Sequence, residues 1–155
     1  MIGLMLARYL LNSKVKRGEE MYHIVISSHG SLSDGFLDTL SYFTKDLEQV
    51  HSIALRDKSV YDYQQEVHEL IEKLEGDVLV MVDLFQGTPF KTFYLELQKK
   101  EEAIILSNVG FPQVLNAVLM QQSKLSEILP MIEECGELTV TKCGEIVNVA
   151  TEEDE

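Results

Sequence analysis

Two short stretches carry residue types that together could handle a phosphoryl group. Ser28-His29-Gly30 ends an apolar run that begins near Tyr22, and Asp83-Leu84-Phe85-Gln86-Gly87-Thr88-Pro89 ends another. A neutral imidazole can take up a phosphoryl group covalently and release it again, which few other neutral side chains do. An aspartate beside it would hold the proton on one ring nitrogen and leave the other free to attack. The same carboxylate would stabilise the positive charge that grows on the ring as phosphate is gained. Gly87 lets backbone approach a ligand closely. Thr88-Pro89 reads as an N-cap with proline at the first helical position, and the unpaired N–H groups and dipole of such a helix start favour an anion. The hydroxyls of Thr88, Ser28, Ser31 and Ser33 add further donors.

Each feature taken alone also has a plain structural explanation. A histidine at the end of a strand commonly does no more than hydrogen-bond, an aspartate after a strand can cap a loop, and Thr88 can cap a helix that binds nothing. The other histidines fall elsewhere: His23 and His51 start predicted strands, and His68 lies in a helical pattern among Glu66, Glu69 and Glu72. All three read as structural or solvent-facing. Asp83 shifts the balance for His29, because a carboxylate directly after five apolar residues must find a partner or reach solvent.

The elements that must position these residues alternate in period. Strand-like runs cover Tyr22 to Ser28, Val50 to Leu55, Asp77 to Val82 and Ala103 to Leu106. Val78 to Val82 is apolar without a break, as in a central strand covered on both faces. Between the runs lie helical patterns. One is capped by Ser33 and carries Phe36, Leu40, Phe43 and Leu47. A second carries Val67, Leu70, Ile71 and Leu74 and stops at Gly76. A third runs from Thr88 to about Lys99, a fourth carries Val114, Leu115, Val118 and Leu119, and a fifth covers Leu125 to Cys135 with a bend at Pro130. Two β-rich pieces follow, Leu138 to Thr141 and Ile146 to Ala150. The alternation predicts a doubly wound α/β fold, a mostly parallel sheet with helices on both faces and right-handed crossovers. Ligands of such sheets bind beyond the carboxyl ends of the strands, near the switch in strand order. His29, Asp83 and Asn108 all follow predicted strands, so all three belong to that one edge.

Composition narrows the chemistry. The chain has 155 residues, 45% hydrophobic and 25% charged, which suits one domain with a substantial core. A net charge of −13 sets nucleic acid aside as a partner and favours docking on basic protein surfaces. Cys135 and Cys143 have the spacing of neither a zinc site nor a disulfide framework, and read as thiols of a reducing cytoplasm. Nucleotide-loop, dinucleotide, H-E-x-x-H and G-x-S-x-G patterns are all missing, and the predicted site requires no metal and no cofactor. No apolar run approaches the roughly 18–20 residues that span a bilayer. Residues 21–150 are expected to form the domain, with 151–155 a solvated acidic tail. Residues 1–20 form an extension in which Arg8, Lys14, Lys16 and Arg17 outnumber Glu19 and Glu20. The codons for Lys16-Arg17-Gly18-Glu19-Glu20 can resemble a ribosome-binding site, so Met21 is the expected natural start.

The pattern resembles the IIA domain of the mannose family of the bacterial phosphoenolpyruvate-dependent sugar phosphotransferase system. Three landmarks carry the resemblance: His-Ile-Val-Ile-Ser-Ser-His-Gly at His23 to Gly30, Val-Asp-Leu-Phe-Gln-Gly-Thr-Pro-Phe at Val82 to Phe90, and Ser-Asn-Val-Gly-Phe-Pro at Ser107 to Pro112. It covers Met21 to about Val149. The resemblance implies that His29 accepts a phosphoryl group from the histidine phosphocarrier protein HPr. The group then passes to a separate IIB protein, which phosphorylates a sugar entering through membrane IIC and IID subunits. It implies that Asp83 orients the histidine, and that Thr88 contacts the phosphoryl group; Gly87 and Ser28, read from the residues alone, join Thr88 as the expected phosphoryl-binding positions. It further implies a cytoplasmic homodimer, peripheral to the permease, with a C-terminal strand exchanged between subunits. The family often has Gly-Gly before Ser-Pro-Phe, where this chain has Gln86-Gly87-Thr88; threonine keeps the hydroxyl.

Other functions remain open on the sequence. The phosphotransferase subunit of dihydroxyacetone kinase is similar and would keep the phosphohistidine while changing its recipient. A regulatory domain could hold an anion at His29 without being phosphorylated. A histidine phosphatase would need an arginine just before the histidine, where this chain has Ser28.

Overall fold

The computed structural model describes residues 21–100 and 102–144. Four strands, β1 (His23–Ser28), β2 (Val50–Ala54), β3 (Val78–Val82) and β4 (Ala103–Leu106), form one parallel sheet in the order β2-β1-β3-β4. Five helices connect and follow them: α1 (Leu32–Leu40), α2 (Val60–Lys73), α3 (Thr88–Glu96), α4 (Phe111–Leu119) and α5 (Leu125–Glu134). A short 3₁₀ turn, Leu97–Lys99, extends α3 to the expected limit.

The sheet is covered on both sides because its strands are apolar on both sides. In β3, Val78, Val80 and Val82 pack with Tyr63, Val67 and Ile71 of α2 and with Phe93 of α3. Leu79 and Met81 point the other way, toward α1, α4 and α5. All five β3 side chains are fully buried, and each such aliphatic group contributes about 1.5–3 kcal/mol on leaving water. β1 divides likewise, with Ile24 and Ile26 in one layer and Val25 in the other.

The strand order decides the function of the edge. β1 pairs with β2 on one side and with β3 on the other, so the chain winds outward from β1 in both directions. The crevice of such a sheet opens at the carboxyl ends of β1 and β3, where the winding reverses. His29 directly follows β1, and Asp83 directly follows β3.

Several local expectations change. The first helix begins at Leu32 and ends at Leu40, so Ser33 is not its N-cap and Leu47 lies beyond it. After Leu40 the N–H groups of Ser41, Tyr42 and Phe43 turn to carbonyls three residues back, which tightens and closes the helix. Leu47 still packs against the same core layer. Gly87, not Thr88, is the N-cap of α3. Leu138 to Thr141 forms no strand: Leu138 is 97% exposed, and no strand lies beside this stretch among the described residues. A strand needs a neighbour to receive its N–H and C=O groups, so β propensity alone is insufficient. The expectations for residues 1–20, for Ile146 to Ala150 and for the acidic end lie outside the described residues.

Candidate active site

The end of β1 delivers His29 in a fixed orientation. Its neighbour Ser28 is buried, and the Ser28 hydroxyl donates to the Gly30 carbonyl at 2.6 Å. The same oxygen accepts the Ser33 N–H at 2.9 Å and lies 3.0 Å from Ser33 Oγ. Ser28 thus supplies the capping contact expected of Ser33. The Ser28 side chain lies buried beneath the loop that carries His29, where it serves the first turn of α1.

Across the crevice, Asp83 Oδ2 accepts both the backbone N–H of His29 and its ring Nδ1, each at 2.9 Å. Asp83 Oδ1 accepts the Leu84 N–H at 3.0 Å. The carboxylate is 15% exposed at its side chain and the imidazole 40%. Burial by itself would raise the Asp83 pKa, but the two contacts from His29 and the Leu84 N–H outweigh it and hold the carboxyl below its ordinary value. An ionised carboxylate can only accept, so the proton of a neutral His29 sits on Nδ1 and the lone pair on Nε2.

Gly87 explains where that lone pair lies. A side-chain carbon at Gly87 would meet His29 Cε1 at 2.5 Å and Nε2 at 3.0 Å. The backbone of Gly87 is extended, with φ −68°, so the glycine answers a need for space and not for an unusual turn. Its N–H donates to the Leu84 carbonyl at 3.3 Å. The α3 N–H groups without an intrahelical acceptor are therefore those of Thr88 and Phe90, since Pro89 has none and Lys91 bonds Gly87. Thr88 is half-buried at the first turn, and its hydroxyl has no partner among the described residues.

Two residues to which the sequence assigned no role hold the two loops of this edge. Asn108, in a left-handed conformation with φ 58°, accepts the Phe85 N–H on Oδ1 at 3.0 Å and ties the end of β4 to the Asp83–Gly87 loop. Arg56 follows β2, and its N–H donates to the His29 carbonyl at 2.7 Å. The rule that picked out Asp83, a charged residue just beyond a predicted strand, also reaches Arg56. Below the edge, Ser27 Oγ donates to the Ile53 carbonyl at 2.7 Å and lies 2.6 Å from the hydroxyl of Tyr63. His23 and His51 lie at the opposite end of the sheet, with His51 Nε2 3.3 Å from His23 Nδ1. His68 bonds Glu96 on the surface. No cluster of three metal-ligating side chains occurs among the described residues.

The fold and site define a doubly wound α/β domain that presents an aspartate-held histidine at the switch point of its sheet. The family of PTS system fructose IIA components matches this chain over residues 23–134, and the chain belongs to it. Solved structures agree on the fold. The mannose/sorbose-specific IIA subunit from Enterococcus faecalis superposes with a TM-score of 0.72 at 14% identity, over 83% of this chain and 100% of that one. Phosphotransferase component EIIA from Streptococcus agalactiae gives 0.66 at 24% identity, over 73% and 90%. The PTS IIA protein associated with the fucose utilization operon of Streptococcus pneumoniae gives 0.65 at 20%, over 73% and 89%. A comparison with curated proteins finds no match.

Proposed function

We propose that this chain is the phosphocarrier IIA component of a sugar phosphotransferase system, with His29 Nε2 as the atom that carries the phosphoryl group. The observation that supports this most is the double contact of Asp83 with the His29 N–H and Nδ1 at 2.9 Å. It leaves Nε2 unprotonated at an open edge, beside a glycine whose missing side chain makes room for the ring.

In the forward step Nε2 attacks the phosphorus held by a phosphohistidine of HPr. The N–P bond of the donor breaks as the new one forms, and the donor imidazole keeps the electron pair. Positive charge grows on the His29 ring and is offset by Asp83 through Nδ1–H. The Thr88 hydroxyl and the free N–H groups of Thr88 and Phe90 face the negative charge of the transferring group. In the second step a IIB protein takes the group from Nε2 by the same chemistry. Both bonds are N–P bonds, so the exchange is nearly balanced and reversible.

Both partners use one edge in turn. Leu84 and Phe85, between Asp83 and Gly87, are 56% and 58% exposed and offer an apolar contact beside the reacting atom. The charge of −13 draws partners whose own histidine lies on a basic surface. The chain works as a cytoplasmic homodimer that reaches IIC and IID through IIB. Among the described residues no helix is long and apolar enough to cross a membrane.

The test is incubation with labelled phosphoenolpyruvate, enzyme I and HPr. Wild type takes up acid-labile label and His29→Ala takes up none; equal label in the two rejects the reading.

A further inference from the structure

Arg56 occupies a position that the phosphocarrier scheme does not use. Its main-chain N–H bonds the carbonyl of His29 at 2.7 Å, so its backbone is tethered to the residue that carries the reacting ring. Its φ of 48° is left-handed, a region that glycine and asparagine enter at lower cost than arginine. Backbone strain of this kind concentrates at functional positions. The guanidinium pairs with the carboxylate of Asp34, in the first turn of α1. That pair is easily opened, because the two side chains are 50% and 43% exposed and such surface pairs hold weakly. Asp34 would not be stranded by its opening, since Oδ1 also accepts the Ser52 hydroxyl at 2.6 Å.

We propose that Arg56 is the cation that neutralises the phosphoryl group on His29, exchanging Asp34 for the phosphate when the histidine is loaded. A phosphoryl group brings close to two negative charges and three acceptor oxygens into an already acidic protein. The planar guanidinium matches those oxygens with two parallel N–H donors, and a dianion outcompetes a single carboxylate for it. β2 is the strand beside β1, and neighbouring parallel strands are about 4.8 Å apart, so Arg56 and His29 leave adjacent strands on the same edge. Unloaded, Asp34 holds the guanidinium aside. Loaded, Arg56 leaves Asp34 and completes a clamp with Thr88 on the far side of the ring. Arg56 thereby sets how far the phosphoryl equilibrium leans toward this chain and away from its donor.

The inference rests on the phosphocarrier reading, and one experiment separates their failures. The full chain is equilibrated with labelled phospho-HPr, and the distribution of label between the two proteins gives an equilibrium constant. Arg56→Ala should lower that constant by up to about fivefold, the range of one exposed charge pair. Arg56→Lys, a point charge without the fork, should fall between Arg56→Ala and wild type. Asp34→Asn should raise the constant, because it releases the guanidinium. A merely structural Arg56–Asp34 pair acts on the site only through net charge, which Arg56→Ala and Asp34→Asn change in opposite senses, so it predicts that the charge-keeping Arg56→Lys matches wild type. Opposite shifts with Arg56→Lys below wild type support the exchange, and any other pattern overturns it. If Arg56→Ala fails to fold, Arg56→Gln takes its place against the same prediction. A wild-type protein that takes no label refutes the phosphocarrier reading itself.

Discussion

At the scale of single residues, the site depends on one carboxylate and one missing side chain. Asp83 sets the tautomer of His29, and asparagine in its place could present its NH₂ to Nδ1 and put the proton on Nε2. Asp83→Asn should therefore slow phosphoryl uptake by about 10²–10⁴-fold, measured as the initial rate of labelling from phospho-HPr. A rate within threefold of wild type would remove Asp83 from the mechanism. Gly87→Ala tests the space above the ring. Its new carbon would lie 2.5 Å from His29 Cε1, so the imidazole must turn away from Asp83. Uptake should fall at least about tenfold, while stability changes by no more than about 1–3 kcal/mol, as for other overpacked sites. Urea unfolding beside the labelling assay separates the two effects; a large stability loss with normal uptake by the folded fraction would show that the glycine serves folding alone.

At the scale of elements, the loop between β1 and α1 is held from below. Ser28 Oγ joins the Gly30 carbonyl to the Ser33 N–H, so one hydroxyl closes the turn that carries His29 and caps the helix after it. Ser28→Ala leaves that buried N–H without its acceptor and should cost about 1–2 kcal/mol, read as a shift in the urea midpoint. The Ser28 contact was not legible in the sequence, where Ser33 stood at the expected capping position. A cap is chosen by whichever oxygen the tertiary path brings to the free N–H, and here the strand supplied it. The same limit applies to Thr88, displaced from the cap by Gly87, and to Leu138–Thr141, whose β pattern has no strand beside it among the described residues. Helix and strand existence was otherwise legible, because apolar spacing of about 3.6 or a continuous apolar run is a local property.

At the scale of the whole molecule, the two ends of the sheet differ in chemistry. The carboxyl end holds the His29–Asp83 pair, and the amino end holds His23 and His51. Burial lowers the pKa of both, the Glu75 carbonyl opposes this at His23, and each is further lowered by a nearby cation, Lys100 for His23 and His23 for His51. A histidine whose folded pKa lies below its unfolded value contributes stability above the unfolded value and loses it as pH falls. Stability should thus decline as pH drops from 7.5 through 6.5 to 5.5. Hydrogen bonding to Glu96 raises the pKa of exposed His68 and works in the opposite sense; Asp83, held below its ordinary 3.8, titrates under this range. Urea midpoints of wild type and His51→Gln across that window provide the check. The decline should be shallower in the variant, and parallel curves would show that the pair does not govern it.

The sequence by itself determined the alternation of strands and helices, the burial of β3 on both faces, and the presence of His29, Asp83 and Asn108 on one edge. These follow from local periodicity and from the rule that parallel strands all end on the same side. Strand order was not local information. Only the tertiary structure placed β1 beside β3, and so brought two residues 54 positions apart to 2.9 Å. It also set Gly87 against the ring and Arg56 against the His29 carbonyl. Adjacency of this kind comes from packing both faces of the sheet at once, and no short stretch of the chain encodes it.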